Sequence, residues 1–232
     1  MEIEIQTGEE LNLLLEALLD EIVKANSYYR LVSGLENAVP DYEWEYRQAG
    51  VFWHLTQNAL KDACLISLCR IYDQNSETLN LFNLLHTIKA NLHLFSEPHF
   101  RERFKNNAFV DSLAQDKRTP EIDELESDME SVSCRNQTVK KLMIWRGNII
   151  AHSNANVALG KNKILDDKPL LEAEIKQLLE HSLKMFNKYS SLYRNSIQND
   201  QLFILGQDDY KNLLLRLKRR DQSTSILTTS GT

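Results

Sequence analysis

The sequence predicts an all-α protein, a bundle of long antiparallel helices with shorter additional helices. The 232 residues include only 7 Gly and 4 Pro, so the chain has few places to turn. Apolar residues recur every three or four positions over most of the chain, which is typical of amphipathic helices. No two alternating segments flank a turn signal, so no strand pair is indicated. The length allows one core or at most two small domains, and we expect a single helical domain over residues 1–220 and a disordered tail over 221–232.

The first half of the chain is expected to form four helices. The first begins with Thr7 and Glu10, whose spacing is that of a capping box, and it ends before Pro40. In the second, apolar residues occupy several faces, which predicts the most buried helix. The turn after it is Asp73-Gln-Asn-Ser. The expected helices are Glu9–Val39, Tyr42–Tyr72, Leu79–Phe95 and Glu97–Leu113.

The second half is expected to form three more helices. A polar connection over residues 115–120 precedes a helix that opens with clustered acids, which suit a helix N-terminus. The segment 153–163 is rich in Asn and Gly and predicts a loop. The expected helices are Glu121–Arg146, Leu170–Ile197 and Asp208–Arg220, the last of which is basic.

Composition excludes several classes of protein. The net charge is −6, which argues against a general nucleic-acid binder of the strongly basic kind. No stretch is long and apolar enough to span a membrane, and the acidic N-terminus is unlike a signal peptide. Of three cysteines, Cys64 and Cys69 fall in an apolar run and are expected to be reduced core residues. Neither cysteines nor histidines have metal-ligand spacing. We therefore expect a cytoplasmic protein without membrane contact, metal or cofactor.

One segment departs from the acidic character of the chain. Between Glu130 and Asp166 there is no Asp or Glu, whereas six basic residues fall inside: Arg135, Lys140, Lys141, Arg146, Lys161 and Lys163. Within it stands the sequence Arg146-Gly-Asn-Ile-Ile-Ala-His152. Arg offers fixed donors to phosphate oxygens, and His can transfer a proton near neutral pH. The segment is thus a candidate site for a phosphodiester, although a solvated basic face would have the same composition.

Arg146 and His152 cannot share one face of a regular helix. Six residues rotate by about 600°, which leaves about 120° between the two side chains. Either Gly147 loosens or ends the helix, or a second copy of the chain completes the site across a two-fold axis. In the second case two Arg and two His surround one cleft.

RNA cleavage is the chemistry that such a cleft supports without a cofactor. The 2′-OH of the substrate attacks the neighbouring phosphorus, so the protein needs to move protons and to stabilise charge. His152 suits general acid or base catalysis, and Arg146 suits charge stabilisation. Asn148 and Ser153 could orient the phosphate or the ribose. The cations that could follow the RNA backbone are Lys140 and Lys141.

These residues resemble a known family. Arg146-x5-His152 near the end of a late helix resembles the Arg-x(4–6)-His motif of the HEPN superfamily (higher eukaryotes and prokaryotes nucleotide-binding). The abortive-infection Abi-U branch is similar over roughly residues 10–195. The matching segments are Leu65-Ile-Ser-Leu-Cys-Arg-Ile-Tyr-Asp73, Ser76-x-x-Leu79, Leu84-Leu85 and Trp145-Arg-Gly-Asn-Ile-Ile-Ala-His-Ser153.

The resemblance implies a HEPN-type helical bundle that acts as a metal-independent endoribonuclease and homodimer, in phage defence or as the toxin of a toxin–antitoxin pair. Arg146 and His152 take the catalytic roles, with Asn148 as the polar residue of the motif. Two positions depart from the family. Gly147 stands where many members have the polar residue, and Asn154 stands where some toxins have a Tyr that a nucleotidyltransferase antitoxin modifies. Such an antitoxin is a candidate partner, beside RNA.

Other interpretations remain open at this point. Arg146 could pair with a carboxylate, and His152 could be a helix-end residue favoured by the helix dipole. Arg70 and Asp73 could form a local ion pair or cap, or Asp73 could orient Arg146 or His152 from behind. Trp145 is expected to be an anchor in a core or interface. The alternative function is a non-catalytic helical module that binds RNA, a nucleotide or a protein partner.

Overall fold

The computed structural model describes residues 2–116, 118–150, 154–161, 163–198 and 209–218, without the side chains of residues 164 and 165. These residues form helices and turns and no β-strand, so the predicted all-α fold is confirmed. The long helices are α1 (Gly8–Ala38), α3 (Gly50–Ile71) and α11 (Glu172–Arg194). The shorter helices are α2 (Glu43–Gln48), α4 (Leu81–Ala90), α5 (Glu97–Arg103), α6 (Val110–Leu113), α7 (Ile122–Ser131), α8 (Gln137–Trp145), α9 (Ala155–Ala158), α10 (Ile164–Asp167) and α12 over residues 209–218.

Several helices that the sequence predicts as continuous are interrupted. The expected helix 42–72 breaks at Ala49 into α2 and α3, and the expected helix 121–146 breaks into α7 and α8. At the second break, the side chain of Asn136 accepts from the N–H groups of Thr138 and Val139 and so begins α8. The predicted loop over 153–163 contains the short helix α9. The predicted tail over 221–232 lies outside the described residues.

The N-terminus of α1 has the capping box that the sequence predicts. The N–H of Thr7 donates to Glu10 Oε2 over 3.0 Å, and the N–H of Glu10 donates to Thr7 Oγ1 over 3.3 Å. The carboxylate thus satisfies donors that would otherwise lack a partner at the start of the helix. Bonds from the backbone N–H groups of Gln6 and Thr7 lower the pKa of Glu10.

The described residues group into two compact units. One contains residues from 1–22 and 66–199, and the other contains residues from 23–65 and 200–232. Helices α1 and α3 therefore contribute residues to both. The prediction of one domain over residues 1–220 stays a prediction, since two compact units can belong to one domain.

The larger unit has an apolar core built by most of its helices. Helix α4 packs against α7 and α11, and α8 also packs against α11. The fully buried side chains include Leu11, Leu15, Leu18, Ile22, Tyr72, Phe95, Phe100, Phe186, Tyr189 and Tyr193. Cys69 is buried in this unit, as the sequence predicts for a core cysteine.

Three arginines of this unit turn inward. Arg103 donates to the carbonyls of Leu94 and Tyr193 over 2.8 and 3.1 Å. Arg118 donates to the carbonyl of Leu113 over 2.7 Å, and Arg194 donates to the carbonyl of Asn12. Burial lowers the pKa of each guanidinium, and the backbone carbonyls accept from its N–H groups. Arg118 also lies 3.6 Å from Asp116, and Arg194 lies 3.6 Å from Glu16.

A half-buried histidine links α11 to the ends of α3 and α7 in the same unit. His181 on α11 lies 3.0 Å from the hydroxyl of Tyr72 and 3.2 Å from Ser131 Oγ. The Tyr72 hydroxyl also donates to the carbonyl of Leu178 over 2.8 Å. Burial lowers the pKa of His181, with a smaller opposing effect of Asp128. The neutral imidazole is therefore the form that the fold prefers.

This preference predicts a pH-dependent stability. Since an unfolded His titrates near pH ~6.5, the unfolded chain binds the proton more readily than the folded protein does. The contribution is present in full above about pH 6.5 and is lost as the pH falls below it. In urea unfolding at pH 8 to 5, wild type should lose more stability than His181→Gln. His54→Gln, at an exposed position of α3, is the control, and an equal loss in His181→Gln and wild type would disprove this prediction.

The smaller unit has a compact aromatic core. Its buried residues are Leu35, Ala38, Tyr46, Trp53 and Leu214. The Tyr46 and Trp53 ring centroids lie 4.9 Å apart, and the Tyr46 hydroxyl donates to the Leu35 carbonyl over 2.7 Å. Other apolar side chains of α2 and α3 face solvent: Trp44, Val51, Phe52 and Leu55. Cys64 is buried, as predicted.

Candidate active site

The site begins with the turn after α3, where Asp73 is held by the backbone that follows it. Its Oδ1 accepts from the N–H of Gln74 over 2.8 Å and from that of Asn75 over 3.3 Å. Its Oδ2 accepts from the hydroxyl of Thr78 over 3.3 Å. Asp and Asn in such turns favour bonds between their side chains and nearby backbone groups. The buried carboxylate, whose side chain is 7 % exposed, is therefore fixed in position.

Arg146 forms a two-point ion pair with this carboxylate. Its Nη1 lies 2.8 Å from Asp73 Oδ1 and its Nη2 lies 3.2 Å from Oδ2. The two residues are 73 positions apart, so the pair joins the end of α3 to the end of α8. The Arg146 side chain is 41 % exposed. Because a guanidinium has five N–H donors, Arg146 can hold Asp73 and still offer donors to an anion.

The backbone at Arg146 leaves regular α-helical geometry. Residues Arg146–Ile150 form a π-helical turn directly after α8. Such turns are rare and occur often at functional sites. A Cβ added at Gly147 would meet nothing within 4 Å, so Gly147 borders open space. The angle of about 120° expected for an ideal helix consequently does not describe this segment.

Asn148 is engaged within the protein. Its Nδ2 donates to the carbonyl of Ile144 over 2.8 Å, and its Oδ1 accepts from Asn154 Nδ2 over 2.8 Å. The side chain of Asn154 also caps the start of α9 by accepting from the N–H of Asn156. The structure thus places the Asn148 amide in a clasp between the π turn and α9.

Two clefts border the ion pair. One, of about 380 Å³, is lined by the turn Asp73–Asn75 together with Cys134, Met143, Arg146 and Gly147. The other, of about 290 Å³, is lined by Ile66, Cys69, Arg70, Asp73, Arg146 and Ile150. Arg146 and Asp73 line both clefts. An anion in either one would lie beside the guanidinium.

Three of the six basic residues of the segment, Arg146 among them, pair with carboxylates from outside it. Arg135 pairs with Glu130, and Lys141 pairs with Glu174 on α11. Desolvation is the largest single effect on Glu174 and raises its pKa. The bonds from Lys141 and from the N–H of Leu171, together with the charge of Lys141, outweigh it, and the pKa is lowered. Lys140 is exposed. Of the two lysines proposed to follow RNA, Lys141 is therefore occupied by an acid.

The structure describes only some of the other residues that the sequence singles out. His152 and Ser153 lie outside the described residues. Arg70 donates to Glu21 over 3.5 Å, and its side chain is 63 % exposed. The Trp145 indole N–H donates to the carbonyl of Lys168 over 2.7 Å.

Within the described ranges, no group of three or more His, Cys, Asp or Glu side chains is arranged to hold a metal ion. In the same ranges, no helix combines the length and the apolar character needed to cross a membrane.

Sequence reasoning missed two residues of the site. Gln74 follows Asp73 directly, and its Nε2 donates to the carbonyls of Tyr72, Asp73 and Val132. Cys134 lies in the break between α7 and α8. No motif marks either one. Both residues lie in turns that border the cleft. Their role could be predicted only by knowing that these two turns meet in the folded protein.

The fold is helical, and an Arg at the end of a late helix is followed by His after five residues. Both features are those of a HEPN protein. The model of the AbiU2 family (HEPN_AbiU2) matches residues 8–214. The chain therefore belongs to the AbiU2 family of the HEPN superfamily, and the resemblance noted from the sequence is confirmed. No curated protein and no solved structure matches the chain.

Proposed function

We propose that this protein is a metal-independent endoribonuclease that uses Arg146 and His152. The proposal rests on the placement of Arg146, a half-exposed guanidinium held by the buried Asp73 between two clefts. A preorganised cation stabilises charge that develops on phosphoryl oxygens without having to reorganise during the reaction. The family supplies the reaction class, and the arrangement of the pair supports it.

In the proposed reaction the 2′-hydroxyl oxygen of RNA forms a bond to the adjacent phosphorus. The bond from phosphorus to the 5′-oxygen of the next nucleotide breaks, which leaves a 2′,3′-cyclic phosphate and a 5′-hydroxyl. His152 removes the proton of the 2′-hydroxyl or supplies the proton of the leaving oxygen. Arg146 stabilises the charge on the non-bridging oxygens. Lys140 and Ser153 would contact the backbone next to the reacting phosphate.

A second copy of the chain is part of the proposal. One His cannot act as base and acid in the same step, so a symmetric pair of motifs would supply both groups. The exposed apolar side chains Val51, Phe52 and Leu55 offer surface that a second copy could cover. We propose a cytoplasmic role in abortive infection or as a toxin. Because Asn154 has no hydroxyl group where some toxins have the modified Tyr, control by a nucleotidyltransferase antitoxin would have to act elsewhere.

The test of the proposal is cleavage of total RNA and tRNA by wild type in EDTA. We expect fragments with 2′,3′-cyclic phosphate ends, because the substrate provides the nucleophile and the protein provides the proton transfer. A molar mass of twice that of the chain, measured on the same sample, would accord with a shared site. Activity that appears only with added divalent metal, or fragments with 5′-phosphate ends, would contradict the mechanism.

A non-catalytic RNA-binding module is the second candidate. It is favoured by the engagement of Asn148 and by the lack of a side chain at Gly147, where many family members have a polar residue. In that case wild type would bind RNA and leave it intact in EDTA and in Mg²⁺. Growth arrest on overexpression, relieved by His152→Ala, would instead favour the nuclease.

A further inference from the structure

A third and larger cavity lies next to the candidate active site. This groove, of about 600 Å³, runs between α4 and α7 and is lined on one side by Phe82, His86 and Lys89. The three residues lie at positions i, i+4 and i+7 and so share one face of α4. The ring centroids of Phe82 and His86 are 4.6 Å apart in an edge-to-face arrangement. The groove thus has an aromatic wall, and its volume is in the range of small-ligand sites.

The charges around this groove are paired with each other. Lys89 Nζ lies 2.5 Å from Glu126 Oε1, and Arg135 pairs with Glu130. Burial lowers the pKa of His86, which favours the neutral imidazole. A groove with compensated charges and aromatic walls suits an uncharged planar group better than it suits a phosphate. The cleft at Arg146 has the opposite character, with a partly exposed cation.

The groove and the cleft at Arg146 share two lining residues, Gln74 and Cys134. A nucleic-acid strand with one phosphate in the cleft could therefore place a neighbouring base in the groove. The three donor contacts of Gln74 Nε2 direct that nitrogen to backbone carbonyls, so its Oε1 is the amide atom that it can offer to a ligand.

We propose that this groove binds one base of the RNA strand whose reacting phosphate lies at Arg146, with the base stacked on the ring of Phe82 and in contact with His86 at a steep angle. The inference rests on the proposed function and adds to it a site that selects where RNA is bound and cut. Stacking depends on the π face of the side chain, so an aliphatic residue of similar volume should not replace it.

Binding can be measured apart from cleavage with a short single-stranded RNA whose 2′-hydroxyls are methylated, because such an RNA lacks the nucleophile. By fluorescence anisotropy, Phe82→Leu and His86→Ala should each raise the dissociation constant at least about fivefold. Phe82→Tyr keeps the ring and should stay within about twofold of wild type, given that stacking tolerates different aromatic rings. The matched control is Phe109→Leu, which removes an aromatic ring that is exposed and outside the groove.

Cys134 gives a second measurement of occupancy. It is the exposed free cysteine of the described chain, whereas Cys64 and Cys69 are buried. Partial desolvation of its thiol raises the pKa of Cys134, which lowers the thiolate fraction and slows labelling with a maleimide at pH 8. The methylated RNA should slow this labelling in wild type and less so in Phe82→Leu.

The results separate the base site from the nuclease. Binding that depends on Phe82, without cleavage of ordinary RNA by wild type, would overturn the nuclease and support the base site. Cleavage by wild type, with unchanged affinity in folded Phe82→Leu and His86→Ala, would overturn the base site alone. A wild type that binds no methylated RNA, or whose Cys134 labelling is unaffected by it, would also overturn the base site, whatever the cleavage result.

Discussion

Replacement of His152 by alanine is expected to lower the rate of RNA cleavage by about 10²–10⁴-fold, the usual contribution of general acid–base catalysis. Of the side chains in the motif, the imidazole is the one that can both accept and donate a proton near neutral pH. The measurement is the initial rate on a fluorescent RNA oligonucleotide in EDTA, with thermal unfolding of the same sample as a check of the fold.

The control is His54→Ala, which removes an exposed His whose ring lies 3.0 Å from the Asn58 amide. It should cleave at the wild-type rate. If His152→Ala retains the wild-type rate as well, the observed cleavage belongs to another site or to a contaminant. Loss of cleavage in both variants would indicate that the preparation, and not the motif, determines activity.

The second large effect is expected at Arg146. Arg146→Ala should lower the cleavage rate by about 10²–10³-fold, as for the removal of one preorganised donor to a developing charge. Arg146→Lys should recover only part of the rate, because an ammonium keeps the charge and loses the two-point pair with Asp73. Initial rates under single-turnover conditions test both, and equal rates for wild type and Arg146→Ala would exclude the proposed role.

Stability must be followed alongside the rate. Arg146→Ala leaves the buried Asp73 without its cation, although the N–H groups of Gln74 and Asn75 remain. Because Arg146 is 41 % exposed, we expect a cost of about 1–2 kcal/mol, below the 3–5 typical of a fully buried pair. Asp73→Asn offers the comparison: it retains an acceptor for the turn and keeps Arg146, so a reduced rate with little unfolding would identify Asp73 as a positioning residue.

The sequence predicts the helical class and much of the site, but not the helix boundaries. The capping box at Thr7 and Glu10 is local, and local signals are read directly from sequence. The break between α7 and α8 had a local signal too, since Asn136 is a favourable N-cap residue, but continuous apolar spacing concealed it. Gly50, at the start of α3, is likewise a local sign of the break at Ala49, because Gly is unfavourable inside a helix.

The tertiary part of the site could be predicted only in outline. From the sequence, Asp73 has two possible roles: a local ion pair with Arg70, or the orientation of Arg146 or His152. Spacing alone favours the local pair. In the structure Arg146 takes Asp73 from 73 residues away, while Arg70 reaches Glu21. The approach of Gln74 and Cys134 depends in the same way on how α4, α7 and α8 pack. Such contacts are set by the shared core, which periodicity does not specify.

The inward-turning arginines change how this protein meets a polyanion. Arg103, Arg118 and Arg194 lie among the 27 basic residues, and their N–H groups donate to carbonyls of the interior, so these donors are not directed at a phosphate outside. Their charge still counts toward the formal net charge of −6, which makes the molecule an anion overall. If it cleaves RNA as proposed, its long-range field repels the substrate, and only contacts within about one Debye length, roughly 8 Å at physiological salt, can retain it. Bystander transcripts would then be captured slowly and released quickly, a restraint on toxicity that needs no partner protein.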